Sequence, residues 1–277
     1  MALRINTNVA SLNAQRNLNK STMTLNRSLE RLSSGLRINR AADDAAGLAI
    51  SETMKSDIRA LEQANRNAAD GVSMVQLAEG ALDEVSGILI RMRELAQQAG
   101  NETMGASERG YINSEFDALG QEITRISNAT EFNGIKLLDG SGTTNDILVG
   151  TNTTDIIQID LSNATAADDL GVDISQVQVD GADNSNALTA IDAVESAIST
   201  LNDWRADFGV TQNRLESAMR TIENTRENVS AANSRIRDVD IAAETSTMTS
   251  SQILQQAGVS VLAQANMSPQ MALSLLQ

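Results

Sequence analysis

The chain has no cysteine and no histidine among its 277 residues. These absences exclude disulfides, thiol nucleophiles, Cys/His zinc sites and histidine general bases. Carboxylates remain, so acid/base catalysis has side chains to draw on but little else in its favour. Proline occurs once, at Pro269, and the aromatic set is Tyr111, Phe116, Phe132, Trp204 and Phe208. Ligand pockets are normally lined with more aromatic surface than that. No run reaches about 18 apolar residues, so no membrane-spanning helix is expected. The opening Met1-Ala2-Leu3-Arg4-Ile5-Asn6 lacks a charged segment leading into an apolar one, so no cleaved secretory signal is expected either.

What the chain does have is a seven-residue apolar repeat. Val194, Leu201, Phe208, Leu215, Ile222, Val229 and Ile236 form one stripe. Three residues after each lies Ala197, Trp204, Thr211, Ala218, Thr225, Ala232 or Val239. At 3.6 residues per turn this spacing draws one seam along one helix face. The segment 194–239 would be roughly 70 Å long, which suits a structural or assembly protein better than an enzyme. A second stripe of equal length comprises Met54, Leu61, Ala68, Val75, Leu82, Leu89 and Ala96. Two such helices most simply pack on each other.

The rest of the chain divides around these helices. Residues 9–36 read as a first helix, with Leu18, Leu25 and Leu32 seven apart and Leu29 and Leu36 repeating the interval. Asp43 or Asp44 suits an N-cap for the next helix. Residues 100–105 read as a turn, and Ser107 offers a cap for a shorter helix carrying Ile112, Phe116, Leu119, Ile123 and Ile126. Asn133-Gly134 marks a turn. Residues 135–185, rich in Gly, Thr, Asn and Asp, read as hairpins or loops with short β runs at Ile156–Leu161 and Val172–Val179. The expected fold is mainly α: a long antiparallel coiled-coil bundle with a small β-hairpin region, about residues 135–185, at its distal end. The expected domains are a terminal coiled coil, 1–40 plus 241–277, and a bundle, 41–240.

Charge sharpens this division. Of the net −15, residues 1–40 contribute +6 and residues 241–277 contribute −1, so 41–240 hold −20. The acidic middle reads as a solvated surface, with no nucleic acid or membrane as partner. The basic N-terminal arm has no aromatic residue for base stacking. Asp43-Asp44 reads as a helix cap and not a metal site, and neither metal nor cofactor is expected. The segment 241–277 is apolar yet almost uncharged, whereas a solvated helix carries charge on its outer face. Its natural cover is a neighbouring copy of the chain.

Several motifs resemble bacterial flagellin. They are Leu32-Ser-Ser-Gly-Leu-Arg-Ile-Asn39 with Asp43-Asp-Ala-Ala-Gly-Leu-Ala49, and the opening Leu3-Arg4-Ile5-Asn6-Thr7-Asn8. Arg91-Met-Arg-Glu-Leu-Ala-Gln97, Glu131-Phe-Asn-Gly134, Ser234-Arg-Ile-Arg-Asp-Val-Asp240 and Leu273-Ser-Leu-Leu276 follow in the same order. The resemblance covers residues 1–140 and 186–277. It departs from the family at Gln277, where an Arg is usual, and matches only loosely around Pro269. It implies a minimal subunit of the flagellar filament without separate outer domains, exported by the flagellar type III apparatus. The implied partners are further copies of itself, a chaperone over 241–277, and the filament cap and hook-junction proteins. Residues matching Arg91, Leu95 and Glu115 imply contact with the vertebrate innate flagellin receptor. The expected assembly core is Leu18, Leu25, Leu29, Leu32, Ile253, Leu254, Leu262, Leu275 and Leu276. A hook–filament junction protein and a secreted helical adaptor or effector are the alternative readings.

Overall fold

The computed structural model describes residues 7–142, 144–162, 165–167, 169–172 and 177–274, with side chains as far as Met267. Among these residues the element order is α1 (Val9–Ser34), α2 (Ala45–Ala99), α3 (Ala106–Ala129), β1 (Glu131–Phe132), β2 (Ile135–Lys136), β3 (Asn145–Leu148), β4 (Ile156–Ile159), α4 (Ser185–Arg237) and α5 (Ile241–Ser274). The fold is mainly α with a small β region, as the periodicity indicates. It falls into two compact units: Arg59–Arg226, and the chain ends, Met1–Ile58 with Glu227–Gln277.

In the unit 59–226, α2 and α4 run antiparallel, and their ion pairs give the register. Glu62 meets Arg226, Asp83 meets Arg205 and Arg93 meets Glu195. Each step along α2 is matched by an equal step back along α4, 21 residues between the first two pairs and 10 between the next. Twenty-one residues are three heptads, so the pairs recur on one edge of the seam while the apolar stripes fill it. Leu61 through Ala96 on α2 and Val194 through Ile222 on α4 are buried at every position of the stripes. Met54, Val229 and Ile236, the stripe members outside this unit, are only half-buried. α3 completes the core with Ile112, Phe116 and Ile123.

Two hairpins belong to the same unit. β1 and β2 join through Asn133 and Gly134, whose φ values of 51° and 81° are those of a type I′ turn. β3 and β4 pair antiparallel with Ile147 opposite Ile157. Along β4 Ile157 and Ile159 point inward while Ile156 and Gln158 face out, the period of two expected of a half-covered strand. The hairpin reaches α2 through Asn67 Nδ2, which donates to the Leu148 carbonyl at 3.1 Å. Gly71 lets Ile147 and Leu215 approach the α2 backbone: a Cβ there would stand 3.3 Å from each.

Two local expectations need correction. Ser107 does not cap α3; the N-cap is Gly105, whose extended backbone offers its carbonyl to Arg109 N–H, and Ser107 lies inside the first turn. The β run expected at Ile156–Leu161 is a strand over Ile156–Ile159, paired with Asn145–Leu148, whereas the run expected at Val172–Val179 is not a strand where it is described. Residues 173–176 of that second run lie outside the described residues, and 172 and 177–179 are not strand. Val172, Val177 and Val179 instead lie in the core as irregular chain. Their apolar side chains are used for packing while the backbone is held elsewhere, as where Val179 N–H donates to Asn113 Oδ1.

The unit of chain ends is built on α1 and α5. Asn8 caps α1 by accepting from Ser11 N–H at 3.1 Å, and Gly35, at φ 72°, ends it in the left-handed conformation. Just beyond, Leu36 and Asp238 form an antiparallel bridge. Arg37 N–H donates to the Arg237 carbonyl and Val239 N–H to that of Gly35. Asp44 provides the expected cap for α2, its Oδ1 accepting from Gly47 N–H at 2.9 Å. Asp43 instead accepts from the backbone N–H groups of Asn39 and Arg40.

Candidate assembly surface

α1 and α5 pack antiparallel through a line of polar contacts. Asn8 Nδ2 donates to the Ala265 carbonyl at 2.8 Å and Ser11 Oγ to Asn266 Oδ1 at 2.9 Å. Gln255 reaches Thr22, and Ser28 Oγ donates to Glu244 Oε1 at 2.5 Å. The helices come close because the seam residues are small. Gly258 faces Leu18, whose Cδ1 would stand 3.3 Å from an added Cβ.

The burial pattern of this pair is inverted. Its buried side chains are Ser11, Ala14 and Ser28 on α1 and Ser251 on α5. Most of its large apolar side chains, among the described residues, face outward: Ile253 is 60% and Leu254 58% exposed, and Val259, Val261, Leu12, Met23 and Leu29 are exposed too. Of the expected assembly residues, Leu18, Leu25, Leu32 and Leu262 are half-buried in the pair, while Leu29, Ile253 and Leu254 stand out from it. Leu275 and Leu276 lie outside the described residues. A groove of about 550 Å³ follows the contact, lined by Leu18, Ser21, Thr24, Leu254 and Val261 among others. Exposed apolar surface of this extent marks an interaction face.

The residues matched to the innate receptor contact belong to the other unit. Arg91 and Glu115 meet, with Arg91 Nη2 2.9 Å from Glu115 Oε1, and Arg91 Nη1 also reaches Glu94. All three side chains are about half exposed. Hydrogen bonds to Glu94 and then to Glu115 raise the guanidinium pKa further, so Arg91 stays charged. Leu95 does not join this surface; at 2% exposure it belongs to the core.

Two buried ionic side chains take places in the fold that the sequence does not assign. Arg109 is buried at 3% exposure with carbonyls for partners, Nε donating to Ala99 at 2.8 Å and Nη1 and Nη2 to Ala182 and Asn101 at 3.3 Å. It ties the end of α2 to the segment entering α4, and an arginine amid neutral carbonyls leaves no sequence pattern. Glu244, bonded to Ser28, did leave a signal: it is the sole charged residue of 241–277.

Among the described residues no cluster of acidic side chains is arranged to hold a metal ion, and no helix is long and apolar enough to cross a membrane. Long helices, small hairpins and an outward-facing apolar helix pair define a helical structural protein. Comparison with known proteins agrees. The bacterial flagellin N-terminal helical region matches residues 5–143 and the C-terminal helical region residues 191–276. The chain is 47% identical to a flagellin of Halalkalibacterium halodurans and 42% to one of Bacillus subtilis. Those alignments cover 99% of this chain and 99% and 100% of the relatives. The crystal structure of Bacillus cereus flagellin superposes with a TM-score of 0.51 at 30% identity, covering 61% of this chain and 94% of that one. The chain belongs to the bacterial flagellin family. It is a structural subunit of the extracellular flagellar filament, a homopolymer.

Proposed function

We propose that the filament is held together chiefly by the α1/α5 pair, with Leu18, Leu25, Leu29, Leu32, Ile253, Leu254, Leu262, Leu275 and Leu276 as its assembly core. In this reading residues 1–40 and 241–277 act as the filament-core domain and residues 41–240 as a bundle that makes side-to-side contacts. The inverted burial of the pair is the observation that carries it: large side chains face out where another copy can cover them. Burial of that surface offsets the entropy of ordering the ends. Chemistry at an active site has no place in this mechanism. Removing residues 241–277 tests it. The expected product is a soluble chain whose unit 59–226 melts as before and which forms no filaments; ordinary filaments from the truncated chain would refute the reading.

The same outward face suits two transient partners before assembly, a chaperone over 241–277 and the export apparatus, with the cap and hook-junction proteins meeting the subunit as the filament grows. Arg91 and Glu115 form the surface part of the innate receptor contact, and Leu95 supports it from within the core. Receptor signalling is expected from monomer and to fall on Arg91→Ala. Intact filament that signals as strongly as monomer, with no shed subunits, would count against burial of this face between subunits.

A further inference from the structure

The α1/α5 contact holds one ion pair across it, Glu244 with Arg31, and it lies inside. Glu244 is the sole charged residue from Ile241 to Gln277, yet its side chain is only 12% exposed. Ser28, 1% exposed, donates to Oε1, and Arg31 Nη1 lies 3.5 Å from Oε2. Arg31 Nε is buried without a hydrogen-bond partner. A carboxylate and a guanidinium have thus been drawn largely out of water, with one donor left unsatisfied, beside buried side chains that are small and uncharged, Ser11, Ala14 and Ser251. Such a pair gains little stability over apolar residues of the same volume. Its effect lies in what it penalises. A seam of Ser, Ala, Gly and Leu offers nearly equivalent packings one heptad apart, and offers α5 another α5 as readily as α1. Any of those arrangements parts Glu244 from both Arg31 and Ser28.

We propose that Glu244, with Arg31 and Ser28, specifies the register and the partner of the terminal helix pair. It selects α5 against α1, antiparallel, with Ser11 opposite Asn266, over heptad-shifted and like-with-like pairings. The remaining polar contacts favour the same register more weakly. One heptad away Asn8, Ser11 and Thr22 would face Gly258, Val259 and Met248, but each is uncharged and loses less than a buried carboxylate parted from its counter-ion. The inference rests on the assembly reading of this helix pair, and the test separates the two.

Because the chain has no cysteine, an engineered pair reports without background. Ser11→Cys with Asn266→Cys reads the observed register, and Ser11→Cys with Val259→Cys reads the register one heptad away. Filaments grown from mixed isotope-labelled and unlabelled subunits are oxidised, and linked peptides are assigned by mass spectrometry as within or between chains. A variant that forms no filaments is oxidised as soluble full-length chain in trimethylamine N-oxide, which favours burial. The 11–266 link is expected to dominate in the otherwise unaltered chain. Glu244→Ala is expected to lower the ratio of 11–266 to 11–259 links by about tenfold or more and to raise links between chains. Combining Arg31→Glu with Glu244→Arg is expected to recover the ratio. An unchanged ratio in Glu244→Ala would overturn the proposal, as would a charge-swapped chain that stays as unselective as Glu244→Ala. Absence of the 11–266 link before any change at Glu244 would overturn the helix-pair reading itself.

Discussion

In the unit 59–226 the side chains withdrawn from solvent are Leu82, Leu89, Met92, Leu201 and Leu215, while the charges of Asp83, Arg93, Glu195 and Arg226 border the seam. Between α1 and α5 the withdrawn side chains are Ser11, Ala14, Ser28 and Ser251, while Ile253, Leu254, Val259 and Val261 face out. Both pairs are antiparallel, and both carry a seven-residue apolar spacing. The difference teaches that a heptad repeat declares a seam without declaring who covers it. In the first pair the chain covers itself. In the second the close approach uses small residues, and most of the large ones are left for another molecule. Covering each of those outward side chains is worth up to about 1–2 kcal/mol, given that full burial of a Val, Leu or Ile contributes 1.5–3. A filament gathers that gain over every subunit.

The comparison breaks first at the centre of the self-covered unit. Phe116 is fully buried, so Phe116→Ala is expected to cost about 3–5 kcal/mol and to lower the melting temperature of the soluble chain sharply. Next is Arg109→Met, which keeps much of the volume but deprives three close backbone carbonyls of their donor. It is expected to cost about 1–3 kcal/mol in the same melt.

A smaller effect of opposite sign is expected at Asp117. Burial, and secondarily the charge of Asp180, raises its pKa above the ordinary 3.8. Its Oδ1 has no hydrogen-bond partner, while Oδ2 accepts from Asn113 Nδ2. The folded chain therefore binds this proton more tightly than the unfolded chain does. The resulting destabilisation is absent below the unfolded pKa and is complete once pH has risen through the folded one. Asp117→Asn should raise the melting temperature at neutral pH, with the gain vanishing below 3.8. Last comes the double change Ile253→Ser with Leu254→Ser. The soluble melt should move by no more than about 0.5 kcal/mol, whereas the subunit concentration needed for filament growth, read by sedimentation, should rise steeply. A soluble chain destabilised as strongly as by Phe116→Ala would erase the contrast between the two pairs.

Much of this was legible in the residues. Two unbroken stripes predict α2 and α4, and Asn133-Gly134 predicts the β1–β2 turn because few residues other than Asn and Gly accept its backbone angles. Asp44 is where a cap belongs. The misses share a physical cause. Asn145–Leu148 is a strand because Gly71 opens room for Ile147, a fact located 76 residues away in the chain. Val172–Val179 has the composition of a strand, but its described residues, 172 and 177–179, pack as irregular chain. Ser107 lost the cap to Gly105, whose backbone carbonyl was enough. At the assembly surface the apolar tail and its lone acid were both visible. That the acid lies inside the seam, and Leu95 inside the core, depends on which face a neighbour covers.

The bridge between Leu36 and Asp238 also has a consequence in time. Asn8 and Ala265 are 257 positions apart, and Ser28 and Glu244 are 216. Contacts that span nearly a whole chain close late, because the loop entropy is lost before they contribute anything. On the ribosome α1 emerges long before α5 and has no partner until α5 follows, whereas the hairpins close within a few residues of synthesis. The topology therefore sets a delay: while α2, α3 and α4 are made, the chain carries α1 with nothing to dock it on.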